Sequence, residues 1–231
     1  MRLDKLLCEC GKASRSEAGK LIRGGKVTVN GQIVKKPDFK VNEERDIITL
    51  FDKIVEYKKF TYIMLNKPIG YVSATEDEND PCVLDLVSDE DRKKGLFPCG
   101  RLDKNTLGLV ILTNDGEGAH RALSPKHHVS KVYLFECERG LSDDDINRLE
   151  NGVDIGGYIT KPCKIKMTAD RVGEITLTEG KYHQIKRMLN AVDNQITYLE
   201  RISFGDILLD PKLGRGKWRY LTKEEEKLFS I

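Results

Sequence analysis

Leu3, Leu6, Leu7 and Cys10 recur at helical spacing and stop at Gly11, a residue suited to the left-handed position just past a helix end. Ser14 opens a second helical pattern, with Glu17 three residues on to complete a capping box. Ala18, Leu21 and Ile22 form its apolar stripe before Gly24 and Gly25 end it. Residues 26–29 then alternate polar and apolar, Asn30-Gly31 supplies two positions tolerant of positive φ, and residues 32–34 resume a strand, so a hairpin is expected. An apolar run at 47–50 closes this small unit. The hydrophilic stretch 51–60 reads as a linker or strand edge and sets an expected domain boundary near Tyr57, giving domains 1–57 and 58–231.

From residue 61 the pattern changes to short strands punctuated by Gly, Pro and Asn. Strands are predicted over 61–65, 109–113, 132–138, 164–168, 174–178, 195–204 and 218–221. Helices are predicted over 116–123, over 142–151 with Ser142 as cap, over 182–192, and over 222–228 with a Thr222/Glu225 capping box. Strands outnumber helices without strict alternation, which predicts an α+β domain with a mostly antiparallel, mixed sheet flanked by helices.

Composition narrows the class of molecule. With 231 residues, 39% hydrophobic and 33% charged, the chain can bury one sizeable core and a smaller one. It shows no collagen period, no low-complexity run, no membrane-length apolar stretch and no signal-peptide pattern at Met1, so a cytoplasmic protein is expected. The six cysteines have no ligand spacing and are expected to be reduced and mostly buried, with no metal site. Acidic residues crowd 79–91 without the spacing of a calcium loop, so a solvated loop around a short helix is expected there. The net charge of +2 is uninformative, but residues 1–40 hold ten Lys/Arg against four acids. That basic end, with Arg2, Lys5, Arg15, Arg23 and Lys26, points to a module that docks a polyanion.

Three segments are too polar and too rich in glycine to be plain connections: GRLDKNTLGL (100–109), HHVSKVY (127–133) and EGKYHQIKRML (179–189). Asp103 lies between Arg101 and Lys104, and a carboxylate flanked by cations keeps its charge, as a nucleophile or base requires. On local composition alone, however, Asp in a turn entering a strand is ordinary structure. Lys181, Lys186 and Arg187 ride with Tyr182 and His183, and cations interleaved with aromatics suit phosphate contact and base stacking; an amphipathic helix burying Ile185, Met188 and Leu189 accounts for the same spacing. Lys131 and Tyr133 share one side of a strand, where Tyr133 can serve as a core aromatic or stack on a base.

In order along the chain, these segments and LNKPIGYV (65–72) resemble the RsuA-type pseudouridine synthases that act on ribosomal RNA. The amino-terminal unit resembles the small RNA-binding module shared with a small-subunit ribosomal protein and tyrosyl-tRNA synthetases. The resemblance spans essentially the whole chain. It implies an isomerase that breaks the N-glycosidic bond of a uridine in RNA, turns the uracil, and rejoins it through C5, with no cofactor. It implies catalytic roles for Asp103 as the essential carboxylate, Tyr133 stacked on the target base, and Lys186 paired with Asp103, where many relatives carry Arg. Arg101 matches a position that enters the RNA stack as the uridine leaves. Lys104, Lys131, Lys181, His183 and Arg187 are expected to contact RNA beside it.

Because the chain ends soon after the helix at Thr222, a uridine of small-subunit ribosomal RNA is the expected target, within a small-subunit assembly intermediate and by a monomer with no membrane partner. The same reaction on large-subunit RNA, a non-catalytic RNA-binding assembly factor, and an RNA N-glycosidase that releases uracil are the competing readings.

Overall fold

The computed structural model describes residues 1–124 and 126–230; Pro125, two residues before the HHVSKVY segment, and Ile231, the last residue of the expected second domain, lie outside them. The chain divides into two compact units, Met1–Thr61 with Val87–Phe97, and Tyr62–Leu86 with Pro98–Ile231. Among the described residues no helix is long and apolar enough to cross a membrane.

The first unit begins with helices α1 (Leu3–Glu9) and α2 (Arg15–Arg23), the second carrying the reciprocal Ser14/Glu17 capping box. Strands β1 (Val27–Val29) and β2 (Gln32–Ile33) form the hairpin, with Asn30 at φ 51° and Gly31 at φ 79°. With β3 (Ile48–Leu50) and β4 (Lys53–Ile54) they make a sheet of order β2-β1-β3-β4. Its inward residues Val27, Val29 and Ile48 close a core with Leu3, Leu6, Leu7, Ala18 and Ile22. Residues up to Tyr57 are tied into this unit, the Tyr57 hydroxyl donating to Glu9 (3.1 Å) and the Cys10 thiol to the Glu56 carbonyl.

The return of residues 87–97 to the first unit had no counterpart in the sequence pattern. Helix α3 (Asp89–Arg92) lies against the end of α1, where Lys12 pairs with Glu90 at 2.7 Å. Nor is this acidic stretch wholly solvated: Asp91 is buried, accepting from Ser88 Oγ and from Lys94 Nζ at 2.7 Å.

The second unit is built on a nine-stranded sheet. Its strands are β5 (Tyr62–Lys67), β6 (Phe97–Cys99), β7 (Leu107–Thr113), β8 (Lys131–Cys137), β9 (Lys164–Met167), β10 (Val172–Leu177), β11 (Ile196–Phe204), β12 (Ile207–Leu208) and β13 (Trp218–Tyr220). The order is β13-β5-β7-β11-β8-β10-β9, with β6 beside β7 and β12 beside β11. Along that path only β7 and β11 run parallel, so the sheet is mixed and mostly antiparallel. Gly108 sits at the parallel pairing with φ 99°, and a Cβ there would stand 2.3 Å from the Arg201 carbonyl oxygen, so only glycine fits.

Helix α4 (Gly116–Leu123) is capped by Asp115, which also accepts from the Tyr62 hydroxyl at 2.6 Å. Helices α5 (Asp143–Asn151) and α6 (Gln184–Asn190) pack Leu149, Ile185, Met188 and Leu189 against Phe135, Ile175 and Leu199 of the sheet. The carboxyl-terminal helix α7 (Lys223–Glu226) carries the Thr222/Glu225 capping box.

Candidate active site

The loop between β6 and β7 carries Asp103 and is fastened on both sides of it. Leu102 is buried, and its N–H donates to Ser73 Oγ (3.0 Å) while that hydroxyl lies 2.9 Å from the Leu102 carbonyl. Beyond Asp103, the Thr106 N–H returns to the Asp103 carbonyl at 3.0 Å, and the Gly70 N–H donates to the Lys104 carbonyl at 2.9 Å. Lys67 completes the fastening from below: its fully buried ammonium donates to the carbonyls of Pro68 (3.1 Å), Lys104 (3.1 Å) and Thr106 (2.8 Å). Burial pushes the Lys67 ammonium down to about 8, against the upward pull of the Asp103 charge and with a further downward push from Lys186. The backbone is thereby spent on local bonds, and the Asp103 side chain projects from a fixed base.

Two side chains of the 179–189 segment meet that carboxylate. Lys186 Nζ lies 3.0 Å from Asp103 Oδ2, and His183 Nε2 lies 3.6 Å from Oδ1. Residues 103 and 186 are 83 positions apart in the chain, and all three side chains keep roughly a third of their surface open. Helix α6 supplies Lys186 because Ile185, Met188 and Leu189 bury its opposite face. His183 sits just before the helix in a left-handed conformation (φ 51°), with its ring stacked on Tyr182 at 3.8 Å. Tyr133, half-buried on β8, packs against the same apolar cluster as α6, so one core sets both the tyrosine and the helix that carries Lys186.

Glu179 and Gln184 form part of this construction that sequence reasoning missed. The Glu179 carboxylate is buried and accepts from the Tyr158 hydroxyl (2.7 Å), the Lys161 N–H (2.9 Å) and Gln184 Nε2 (2.8 Å). Burial alone would raise its carboxyl, but those three donors, with Lys181 nearby, outweigh it and hold it below the ordinary range. Lys67 was missed as well, although a lysine ending a mostly apolar strand just before a proline is a readable signal of a buried, committed cation.

The RNA pseudouridylate synthase family matches residues 61–191 and the S4 domain family residues 1–47. An uncharacterised RNA pseudouridine synthase of Bacillus subtilis is 45% identical over 100% of this chain and 98% of its own. The ribosomal small subunit pseudouridine synthase A of Escherichia coli is 40% identical over 97% of this chain and 98% of its own. The chain belongs to the RsuA-type pseudouridine synthases. A crystal structure of a pseudouridylate synthase agrees in fold, with a TM-score of 0.70 at 35% identity and 99% coverage of both chains. This member of the RsuA-type family is therefore an isomerase that acts on uridine in RNA.

In this synthase the cations expected at the RNA have different situations. Arg101 is exposed on the Asp103 loop, and Lys104 beside it is exposed but paired with Asp80 at 2.6 Å. Lys181 is exposed with its ammonium 4.3 Å from the Tyr158 ring centroid, and Arg187 is half-buried. Lys131 departs from expectation. It is buried, donates to the Val129 carbonyl at 2.8 Å and lies 5.5 Å from the Phe204 ring centroid; burial lowers its pKa. Its ammonium is spent on the Val129 carbonyl and the Phe204 ring beneath the surface, so it is not available to RNA.

In the S4 unit, Arg2, Arg15 and Arg23 line a cavity of about 360 Å³ together with Asp4 and Asp38. Arg2 is held by both oxygens of Asp4, at 3.0 and 2.7 Å, whereas Lys5 reaches Glu9 at 3.4 Å and Lys26 is exposed at the start of the hairpin.

Proposed function

We propose that the protein converts a uridine of small-subunit ribosomal RNA to pseudouridine, with Asp103 as the carboxylate that acts on the ribose. The observation that carries this reading is the meeting of Asp103 and Lys186 at 3.0 Å on a backbone-fastened loop. A carboxylate that is to attack C1′, or to remove a ribose proton, must not wander; a paired ammonium and a backbone-fastened loop hold it in place. Either route frees the uracil, lets it turn about its own axis, and rejoins it through C5, with the C5 proton leaving and N1 regaining one.

Tyr133 then offers a flat face to the extruded base, and Arg101, exposed two residues before Asp103, fills the space the base vacates in the RNA stack. Lys186 provides a point charge where a guanidinium would form a fork, so the carboxylate keeps one oxygen less engaged for the substrate. The S4 unit holds the RNA through its phosphates. The choice of small-subunit RNA rests on the 40% identity to ribosomal small subunit pseudouridine synthase A over nearly the whole length of both chains. An assembling small subunit, whose RNA is still open to base extrusion, is the substrate form in this reading.

The test is carbodiimide-stop mapping of pseudouridine on total ribosomal RNA from cells carrying the wild-type protein, none, or Asp103→Asn. One stop in small-subunit RNA, present with wild type and absent from both others, is expected. A lost stop in large-subunit RNA would overturn the substrate assignment, and a stop retained by Asp103→Asn would overturn the catalytic one.

A further inference from the structure

We infer that Glu179 is a positioning residue for the reaction: its buried carboxylate fixes the left-handed turn at His183 and so determines where Lys186 meets Asp103. This rests on the reading of Asp103 as the reacting carboxylate.

The two oxygens of Glu179 tie together pieces of chain far apart in sequence. Oε2 receives the Tyr158 hydroxyl, and Oε1 receives both the Lys161 N–H and the Gln184 amide. The segment supplying the first two donors is itself rigid, because Asp154 Oδ1 accepts the N–H groups of Gly156, Gly157 and Tyr158 at 2.9, 2.7 and 3.1 Å. The third donor spans the turn: Gln184 Oε1 accepts the Lys181 N–H at 2.8 Å, and the Gln184 N–H donates to the Lys181 carbonyl at 3.1 Å. Between residues 181 and 184 the chain must reverse, and it does so through His183 at φ 51°.

A histidine in that conformation is strained, and strain persists only where the surroundings over-determine it. Here the over-determining contacts are polar, buried and centred on one carboxylate. Their consequence lies on the other side of the turn. His183 and Lys186, three residues apart, share a face at the start of α6 and meet the two oxygens of Asp103. A turn released from Glu179 would let His183 relax to negative φ and rotate Lys186 off the carboxylate, while exposed cations such as Arg101 and those of the S4 unit stay as they are. The loss would therefore fall mainly on the chemical step, with RNA binding touched only through the small shift of His183 and its neighbours.

Single-turnover conversion of total ribosomal RNA from cells lacking the protein, with RNA affinity measured in parallel, tests this. Glu179→Leu leaves three donors without an acceptor and should slow the rate constant by about 100-fold, the cost of roughly 1 Å of misplacement, with Kd changed less than about twofold. Glu179→Gln should rescue it to within about threefold, because an amide oxygen can serve Lys161 and Gln184 while its NH2 turns to the Tyr158 hydroxyl oxygen. Gln184→Met, near in size and able to fill the same buried space, removes the bridge with Glu179 intact. It should slow the step at least about tenfold and serves should Glu179→Leu not fold.

Rate constants near wild type in both disrupting variants would overturn the inference. So would a reduced amplitude at an unchanged rate constant, the mark of a purely structural role, or a Glu179→Gln variant as slow as Glu179→Leu. Asp103→Asn run alongside separates the two readings: an active Asp103→Asn removes the premise, whereas an inactive Asp103→Asn beside a fast Glu179→Leu removes only the role of Glu179.

Discussion

A lysine ammonium with three carbonyl acceptors and no surface contact is an unusual foundation for a loop, and Lys67 is one beneath the loop of Asp103. Its three N–H groups match three backbone oxygens, of residues 68, 104 and 106, so the charged form is also the form that satisfies the loop. Because burial brings its pKa down to about 8, the group begins to lose its proton just above neutrality. The neutral amine keeps only two donors and no charge toward Asp103. Turnover is therefore expected to show an alkaline limb with an apparent pKa near 8, which Lys67→Arg, always protonated, moves beyond the accessible range. An alkaline limb unchanged in Lys67→Arg would assign that proton elsewhere. Stability moves the other way: the unfolded lysine holds its proton to about 10.5, so this group's burden on the folded state is complete below about 8 and is relieved as pH rises toward 10.5.

Residue by residue, legibility in the sequence was uneven for a physical reason. Asp103 was visible as a charged residue in a turn but not distinguishable from ordinary turn chemistry, because what singles it out is a lysine 83 positions away. The resemblance to a family supplied that pairing; composition and spacing could not. Lys131 illustrates the converse. A lysine beside a motif expected at the RNA reads as a contact, and only its burial and its bond to the Val129 carbonyl reveal otherwise.

Elements were more legible, since caps and turns are local. The Ser14/Glu17 and Thr222/Glu225 boxes and the Asn30-Gly31 hairpin stand as the pattern predicted, and each of the seven strands predicted after residue 60 has a counterpart within a few positions. The strands that escaped, β4, β6 and β12, have two or three residues each and depend on a partner strand for their definition. Helix α5 shows how much such local chemistry contributes. Ser142 Oγ accepts the Asp145 N–H at 3.2 Å, Asp145 Oδ2 accepts the Ser142 N–H at 3.1 Å, and Arg139 reaches the same oxygen at 2.9 Å. The hydrogen bond from Arg139, working against burial, draws the Asp145 carboxyl down to about 2. A carboxyl depressed in the folded state lends stability that is complete above its unfolded pKa, about 4, and vanishes as pH falls toward 2. Asp145→Asn should lower stability by about 1 kcal/mol at pH 7, read as a shift in urea midpoint, and by much less near pH 2. An equal shift at both values would show that the cap works by shape and not by charge.

At the scale of the whole molecule, charge is divided unevenly: ten Lys/Arg against four acids in the first forty residues of a chain whose net charge is +2. The return of residues 87–97 to the first unit was not legible, because it depends on a tertiary contact such as Lys12 with Glu90 that leaves no periodicity. The charge division was legible, and on the proposed reading affinity and chemistry fall to different units. Within the S4 unit, Arg2 is already paired with Asp4, whereas Arg15 and Arg23 are exposed at the same cavity and are the arginines expected to meet RNA phosphates on the proposed reading. Each phosphate neutralised releases condensed counterions, so Arg15→Ala with Arg23→Ala should reduce the slope of log K against log salt by about 1.4 for a single-stranded contact and somewhat more for a duplex. Affinity at moderate salt should fall by about tenfold or more where each arginine makes a charge-assisted bond to a phosphate. The rate constant at saturating RNA should hold, because Asp103, Lys186 and the loop that Lys67 fastens all belong to the second unit. A salt slope equal to that of wild type would remove these two arginines from the RNA contact, and a slowed rate at saturation would show that docking and chemistry are not separable in this way.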